Sequence, residues 1–213
     1  MPNWVTNRIR IKGSKEVLEE ILKKHVKTIE WEDTTGAKRR DEKFDFNTII
    51  PEPSKVEDCP EEYRLDLHTG SVEVSEERPW FNWYAWRCSK WGTKWNAHDT
   101  QVCGEPEDGE IEIWFETAWS PTVAIYERFA LMHPDVEIEA AYVEEQGPYY
   151  TGVFGFRNGE CVSSEEPEGE SKRAHEIMFD LWGNQDAYEY DAETDNYKYI
   201  DEEVVVDTSN DEQ

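Results

Sequence analysis

The order of elements readable in the chain predicts an α+β protein of the split βαβ type, an antiparallel sheet backed by helices. Three observations carry this expectation. Residues Trp4 to Lys12 and Glu110 to Ala118 alternate apolar and polar positions as half-buried strands do, and a helical pattern follows each of them. A further alternating stretch, Val136 to Glu144, closes the second unit.

Each element has its own local reason. In the first strand Val5, Asn7, Ile9 and Ile11 face one way, and Trp4, Thr6, Arg8, Arg10 and Lys12 the other. Gly13 ends the strand. Ser14 suits the N-cap of a helix that buries Val17, Leu18, Ile21 and Leu22. Residues 27–43 are polar and mixed in charge, which reads as a loop around Thr35-Gly36. Phe44 to Ile50 reads as a strand closed by Pro51 and Pro53. Signals from Ser54 to Pro79 are weak, with a short helix expected near Glu61 to Leu67.

A tryptophan-rich insertion follows. Residues Trp80 to Ala97 hold five of the chain's ten tryptophans, and Trp80, Trp83, Trp86 and Trp91 fall near one helical face before Gly92 stops the helix. Rings of this size contribute heavily to a core or to an interface. Both uses are open from sequence; for an interface, Trp83, Trp91 and Trp95 are the candidate contacts.

Ser120 as N-cap and Pro121 at the first helical position predict a helix that ends before Pro134. Tyr149 to Arg157 reads as a strand turning at Asn158-Gly159. Glu160 to Glu170 has linker composition, rich in Ser, Glu, Pro and Gly. Ser171 to Trp182 then forms a helix with Ala174, Ile177, Met178 and Leu181 inward. Ala187 to Tyr190 and Tyr197 to Ile200 are expected to pair as a hairpin. The expected organisation is therefore a sheet domain over 1–160 and an acidic C-terminal appendage over 161–213.

Charge bounds the function. The chain has 22 Lys and Arg against 49 Asp and Glu, a net charge of −27. Residues 1–50 carry 11 basic and 9 acidic side chains, whereas residues 160–213 carry 3 basic and 18 acidic. Such a field repels nucleic acid and speeds association with basic surfaces. No direct nucleic-acid partner is expected. Neither a signal peptide nor a membrane span is readable, so a cytoplasmic location is expected.

Three stretches together carry a family resemblance: Asn3-Trp4 at the start, Trp91-Gly92-Thr93-Lys94-Trp95-Asn96-Ala97 at the centre, and Ala118-Trp119-Ser120-Pro121 at a strand-to-helix junction. In this order they resemble the YubB-type ferredoxin-like domain family of phage and plasmid proteins, over roughly Met1 to Glu160. The resemblance implies a ferredoxin-like fold and a mobile-element setting, and it brings no catalytic residues.

Sites for chemistry are few. No phosphate-cradling Gly-rich loop and no nucleophile elbow is present, and Phe179 stands where a second metal-binding His would follow His175-Glu176. No cofactor is expected. Cys88, His98 and Cys103, with Cys59 or His68, supply zinc-type donors but lack the close Cys pairs of structural zinc sites. Cys88 with His98 or His68 could form a nucleophile–base pair, though nothing local orients them. Residues Asp191 to Glu202 imitate a calcium loop, but Asn196 replaces the turn glycine and Lys198 the apolar eighth residue. Arg8, Arg10 and Lys12 with Trp4 offer a basic, aromatic strand face of the kind that binds RNA. Glutamates on the neighbouring strands (Glu112, Glu116, Glu137, Glu139) are expected to consume that stripe in cross-strand ion pairs.

The leading expectation is a non-enzymatic, acidic interaction protein that inhibits or modulates a basic host protein handling nucleic acid, such as a defence nuclease, by acting as a DNA mimic. Tyr188, Tyr190, Asp191, Glu193, Asp195 and Glu202, with Trp83, Trp91 and Trp95, are its candidate contacts. The rivals are an RNA- or DNA-binding module using Arg8, Arg10 and Lys12, and an enzyme with a site around Cys88 and His98.

Overall fold

In the computed structural model, residues 2–65 and 77–200 are described. Ten strands and four helices alternate along them. In order these are β1 (Trp4–Lys12), α1 (Lys15–His25), β2 (Val26–Glu32), β3 (Lys38–Phe44), α2 (Trp83–Lys90), β4 (His98–Cys103) and β5 (Glu110–Ala118). Then come α3 (Val123–Met132), β6 (Glu137–Glu144), β7 (Gly147–Arg157), β8 (Glu160–Glu165), α4 (Lys172–Trp182), β9 (Tyr188–Asp191) and β10 (Asn196–Tyr199). An eight-stranded sheet runs in the order β2-β3-β4-β5-β1-β6-β7-β8, and β9 pairs with β10 separately. The central order β4-β5-β1-β6 is the ferredoxin-like arrangement, with β1 antiparallel to both β5 and β6. The protein is a mixed α+β fold on an antiparallel sheet.

The alternation in β1 divides two cores. Val5, Ile9 and Ile11 join Ile111, Ile113, Phe115 and Ile138 in the main core, which α1 and α3 close with Leu18, Ile21, Ile125 and Phe129. On the opposite face α4 lays Ile177, Met178, Phe179 and Leu181 over Ala141 and Val143. Ser171 caps α4 by accepting from the Ala174 amide, and Gly183, at φ 65°, ends it.

Five sequence expectations need correction. Residues 27–43 are a hairpin, β2–β3, not a loop. Both of its faces lie mostly in water, so no apolar stripe marks it, and opposite charges face each other at Glu30↔Arg40 and Glu32↔Lys38. The strand expected at Phe44 to Ile50 stops at Phe44. The Asp45 carboxylate accepts from the Asn47 amide and starts a short 3-10 turn instead. The second strand of the ferredoxin-like order is β4 instead, whose six residues are exposed or half-buried in no alternating pattern. Helix α3 starts at Val123 with Thr122 as N-cap, so Ser120 is not the cap. Finally, the expected linker at Glu160 to Glu170 begins as β8, an edge strand exposed along its whole length. The expected short helix near Glu61 to Leu67 is a single 3-10 turn, Glu61–Tyr63, and its far end lies outside the described residues.

Candidate partner-binding surface

The tryptophan segment divides between buried and half-buried rings. Trp86 and Trp91 belong to the main core. Trp91 is fully buried, donates its indole N–H to the Ile50 carbonyl at 2.8 Å, and meets Phe46 and Trp86 edge-on. Trp91 is thus a core residue and no contact for a partner. Trp83 is half-buried against the core, with the Arg87 guanidinium over its ring. Trp95 lies beyond Gly92 and is half-buried, between the buried Thr93 and Ala97.

The turn at Gly92 brings three distant stretches together at one end of the sheet. Gly92 has φ +81°, and a Cβ there would stand 3.3 Å from the Pro121 carbonyl oxygen, so only glycine fits without movement. Thr93 donates to the Ala118 carbonyl at 2.9 Å, and Thr122 donates to the Trp91 carbonyl. The Trp119 amide donates to the Asn3 carbonyl at 2.8 Å. Asn3-Trp4, the Trp91–Ala97 stretch and Ala118–Pro121 therefore form one unit.

The unit holds aromatic side chains at the surface. Trp119 is 45% exposed, as is Tyr84 of the neighbouring α2 at 42%, and Trp119 adopts φ +69°, in the left-handed region that a bulky side chain rarely occupies. Backbone strain of this kind persists only where its surroundings over-determine it. Here those surroundings are the Asn3 carbonyl and the Thr117 hydroxyl, which donates to the Ser120 carbonyl at 2.7 Å. Thr117 is itself held by the buried Asn7 amide at 3.0 Å. Lys94 sits among the rings, its ammonium 4.6 Å from the centre of Trp95, 5.3 Å from Trp119 and 6.0 Å from Tyr84. These are cation–π distances. Trp4 lies beside Trp95 with ring centres 5.9 Å apart, and His98 stacks on Trp4 at 4.8 Å.

Carboxylates rim the patch. Glu116 lies 3.7 Å from the His98 ring, and burial, with the Asp99 carboxylate adding to it, pushes its acid above the usual range. Glu145 accepts from the Trp4 amide at 2.8 Å, and Glu144 from the Asn3 amide group at 2.6 Å.

The C-terminal hairpin is arranged differently from a free acidic surface. The register pairs Tyr190 with Tyr197 and Tyr188 with Tyr199, which puts all four rings on one side of the ribbon. Tyr188 and Tyr197 pack on Phe179 and His175 of α4, while Tyr190 and Tyr199 are exposed. Asp191 is held by Lys198, with help from the Glu193 amide and the Thr194 hydroxyl, and its acid falls to about 2. Asp195 binds Lys172 at 2.8 Å and accepts from the Tyr190 hydroxyl, and its acid falls as well. Glu193 stays exposed, and Glu202 lies outside the described residues. Two carboxylates of the calcium-like loop, Asp191 and Asp195, are thus spent on the hairpin turn and two lysines.

The basic strand face is consumed. Arg8 is 2% exposed, clamped by Asp180 of α4 at 2.6 Å and Glu139 at 3.0 Å, with its guanidinium over Trp114. Arg10 pairs with Glu112 at 2.7 Å and Glu139 at 3.0 Å, and Lys12 with Glu110 at 2.9 Å. Of the expected partners, Glu112 and Glu139 serve this stripe, whereas Glu116 goes to His98 and Glu137 to Arg157. The zinc-type donors are not gathered. Cys88 lies in α2, His98 and Cys103 stand at opposite ends of β4, Cys59 is buried elsewhere, and His68 lies outside the described residues. Among the described residues no group of three metal-type donors comes together, and no helix is long and apolar enough to cross a membrane.

Residues 90–200 match the family model described as the ferredoxin-like domain in Api92-like protein. The chain belongs to that family. The matched stretch of this Api92-like domain runs from β4 through β10, across Glu160 without a break, and so takes in α4 and the hairpin. The crystal structure of Api92 from Yersinia pseudotuberculosis is similar at a TM-score of 0.53 and 11% identity, covering 79% of this chain and 99% of that one. At that identity the likeness is one of fold. No curated protein is significantly similar to the chain.

What sequence reasoning missed is that Trp4, Lys94, Trp95 and Trp119 form one place. The signal existed in the three short motifs, but their convergence depends on β1–β5 pairing and on the turn at Gly92.

Proposed function

We propose that this Api92-like chain works by binding another protein, a basic one that handles nucleic acid, and that the aromatic patch around Lys94 is its contact centre. One observation carries the reading: Tyr84 and Trp119 are exposed beside the half-buried Trp95, and Trp119 is held there by the Asn3 carbonyl at the cost of a left-handed backbone. Exposed aromatic anchors with a polar rim are the usual make-up of an interaction centre. The net charge of −27 supports a basic partner, reached by electrostatic steering. The resemblance to YubB-type domains of phages and plasmids supports a mobile-element setting, in which such an acidic protein inhibits a host nuclease by standing in for its DNA.

The RNA- or DNA-binding alternative through Arg8, Arg10 and Lys12 has little support, because α4 and neighbouring glutamates occupy that face. The test is competitive. A partner captured from host lysate, once purified, should bind either this chain or a DNA duplex, and each should displace the other with a steep dependence on salt. Simultaneous binding of both would end the mimicry reading. Loss of capture in Trp119→Ala, with the fold intact, is the expected signature of the patch.

A further inference from the structure

We infer that the collar of Tyr84, Trp95 and Trp119 is a site for an arginine side chain of the partner, and that Lys94 occupies it in the free protein. The inference rests on the patch being the contact centre and names what enters it. Three rings, Trp95 beside Lys94 itself, Trp119 at the β5–α3 junction and Tyr84 of α2, converge on a single ammonium at 4.6, 5.3 and 6.0 Å. Convergence on one point distinguishes a binding site from a merely exposed apolar patch, because each ring quadrupole favours positive charge at that point. The occupant is the chain's own lysine, so the geometry displays its ligand class directly.

Lys94 is a suitable placeholder because it is weakly held. Among the described residues its ammonium has no carboxylate or hydrogen-bond partner, only the rings. An ammonium is compact and strongly hydrated, whereas a guanidinium is planar, less hydrated and stacks on indole faces. Arginine therefore outcompetes lysine in the same collar. Charge favours the same occupant, since Glu116, Asp99 and Glu145 lie on the side of the patch next to Trp4 and repel an incoming anion. A resident cation also imposes selectivity: a basic segment must displace Lys94, which isolated lysine side chains do poorly.

The test reads the consequence of vacating the collar. Labelled hexa-arginine and hexa-lysine peptides are titrated by fluorescence anisotropy into the full chain, at fixed ionic strength, with thermal melts to confirm folding. Lys94→Ala should tighten hexa-arginine binding about two- to fivefold, the size of one exposed cation–π contact. Lys94→Met, which keeps the apolar stem, should do the same. Trp119→Ala should weaken hexa-arginine by a similar factor and abolish the gain from Lys94→Ala. Hexa-lysine should gain less than hexa-arginine.

If Lys94→Ala leaves hexa-arginine affinity unchanged or lower, the collar is not a cation site and the inference falls. If all variants bind both peptides alike, general charge does the binding; the inference falls while the reading of a basic partner stands. If neither peptide binds the wild-type chain, both fall. An oligo-dT strand that binds the wild type and is lost on Lys94→Ala would reassign the collar to nucleic-acid bases.

Discussion

Trp91 and Trp119 lie on either side of one hydrogen-bonded junction, yet one is fully buried and the other 45% exposed. Trp91 satisfies its indole N–H on Ile50 and packs edge-on against Phe46 and Trp86, as a core ring should. Trp119 takes a strained backbone and leaves nearly half its ring in water. Burying a ring needs no functional explanation, because the hydrophobic effect supplies one. Holding a ring out against that gradient does. The comparison separates residues that make the fold from residues the fold displays.

The largest effect should come from the buried side. Trp91→Ala should destabilise the protein by about 3–5 kcal/mol, the range for large aromatic-to-alanine changes in a core. Urea melts with unchanged m-value would measure it. A cost below about 1 kcal/mol would erase the distinction between the two rings.

The second test asks whether α4 belongs to the fold or hangs from it. Ile177 is 2% exposed and Met178 fully buried against the sheet face that carries Ala141 and Val143. Ile177→Ala should cost about 2–5 kcal/mol in a single cooperative transition. A separate early transition that leaves the main core intact would mark α4 as an appendage.

How far such features can be read without coordinates depends on whether an element has one wet and one dry face. α1 and β5 do; β1 and β6 alternate in sequence although α4 covers part of their second face, and with β7 and α4 they are placed within a few residues. The hairpin β2–β3 is wet on both faces, and its strand-forming signal is carried by cross-strand charge pairs that no single-strand pattern shows. β4 is short and polar, and it becomes a strand because β5 offers it an edge. For the site, Trp95 was a candidate from composition alone. Its partners were not: Trp4, Lys94 and Trp119 are isolated residues in separate motifs, and proximity between motifs is a property of pairing, not of periodicity. Trp83 and Trp91 shared a helical face, which predicted burial as readily as contact. The acids Asp191 and Asp195 read as free charge because Lys198 and Lys172, which hold them, come from other registers and elements.

A third, smaller effect should follow pH, and it belongs to the buried side. The Thr48 hydroxyl donates to the Asp45 carbonyl at 2.6 Å, so it must accept from His25 Nδ1, also at 2.6 Å. His25 Nε2 is then an acceptor, facing His133 Nε2 at 2.8 Å, which must donate. Protonating His25 breaks this arrangement. Burial, with His133 and Lys24 adding to it and Asp45 opposing, holds its folded pKa down to about 3 from the usual 6.5. Between those values the unfolded chain binds the proton and the folded chain does not. Stability is therefore full above about 6.5 and declines as pH falls toward 3, by at most about 1.4 kcal/mol per pH unit from this residue. His25→Gln should flatten that part of the profile in urea melts at pH 5 and 7. An unchanged slope would remove His25 as its source. Binding through the collar should not follow this profile, since His25 lies in the main core.

The smallest effect on stability should come from the exposed side, and it is the sharpest test of the comparison. Trp119→Gly removes an exposed ring and gives the φ +69° position to the residue that adopts it freely. Relief of left-handed strain stabilises by about 1–2 kcal/mol, while the greater freedom of glycine in the unfolded chain costs about 0.5–1 kcal/mol. Loss of the ring's contact with Lys94 and of its half-buried area opposes the gain further. The terms nearly cancel, so stability should stay within about 1 kcal/mol of the wild type. Hexa-arginine binding should nonetheless weaken as it does for Trp119→Ala. If Trp119→Gly instead costs more than about 2 kcal/mol, the ring is a structural brace that happens to be wet, and display would no longer explain its backbone. If stability holds and binding holds as well, the strain at Trp119 serves neither the fold nor the collar, and the contact centre must be sought at Trp4 and Trp95 alone.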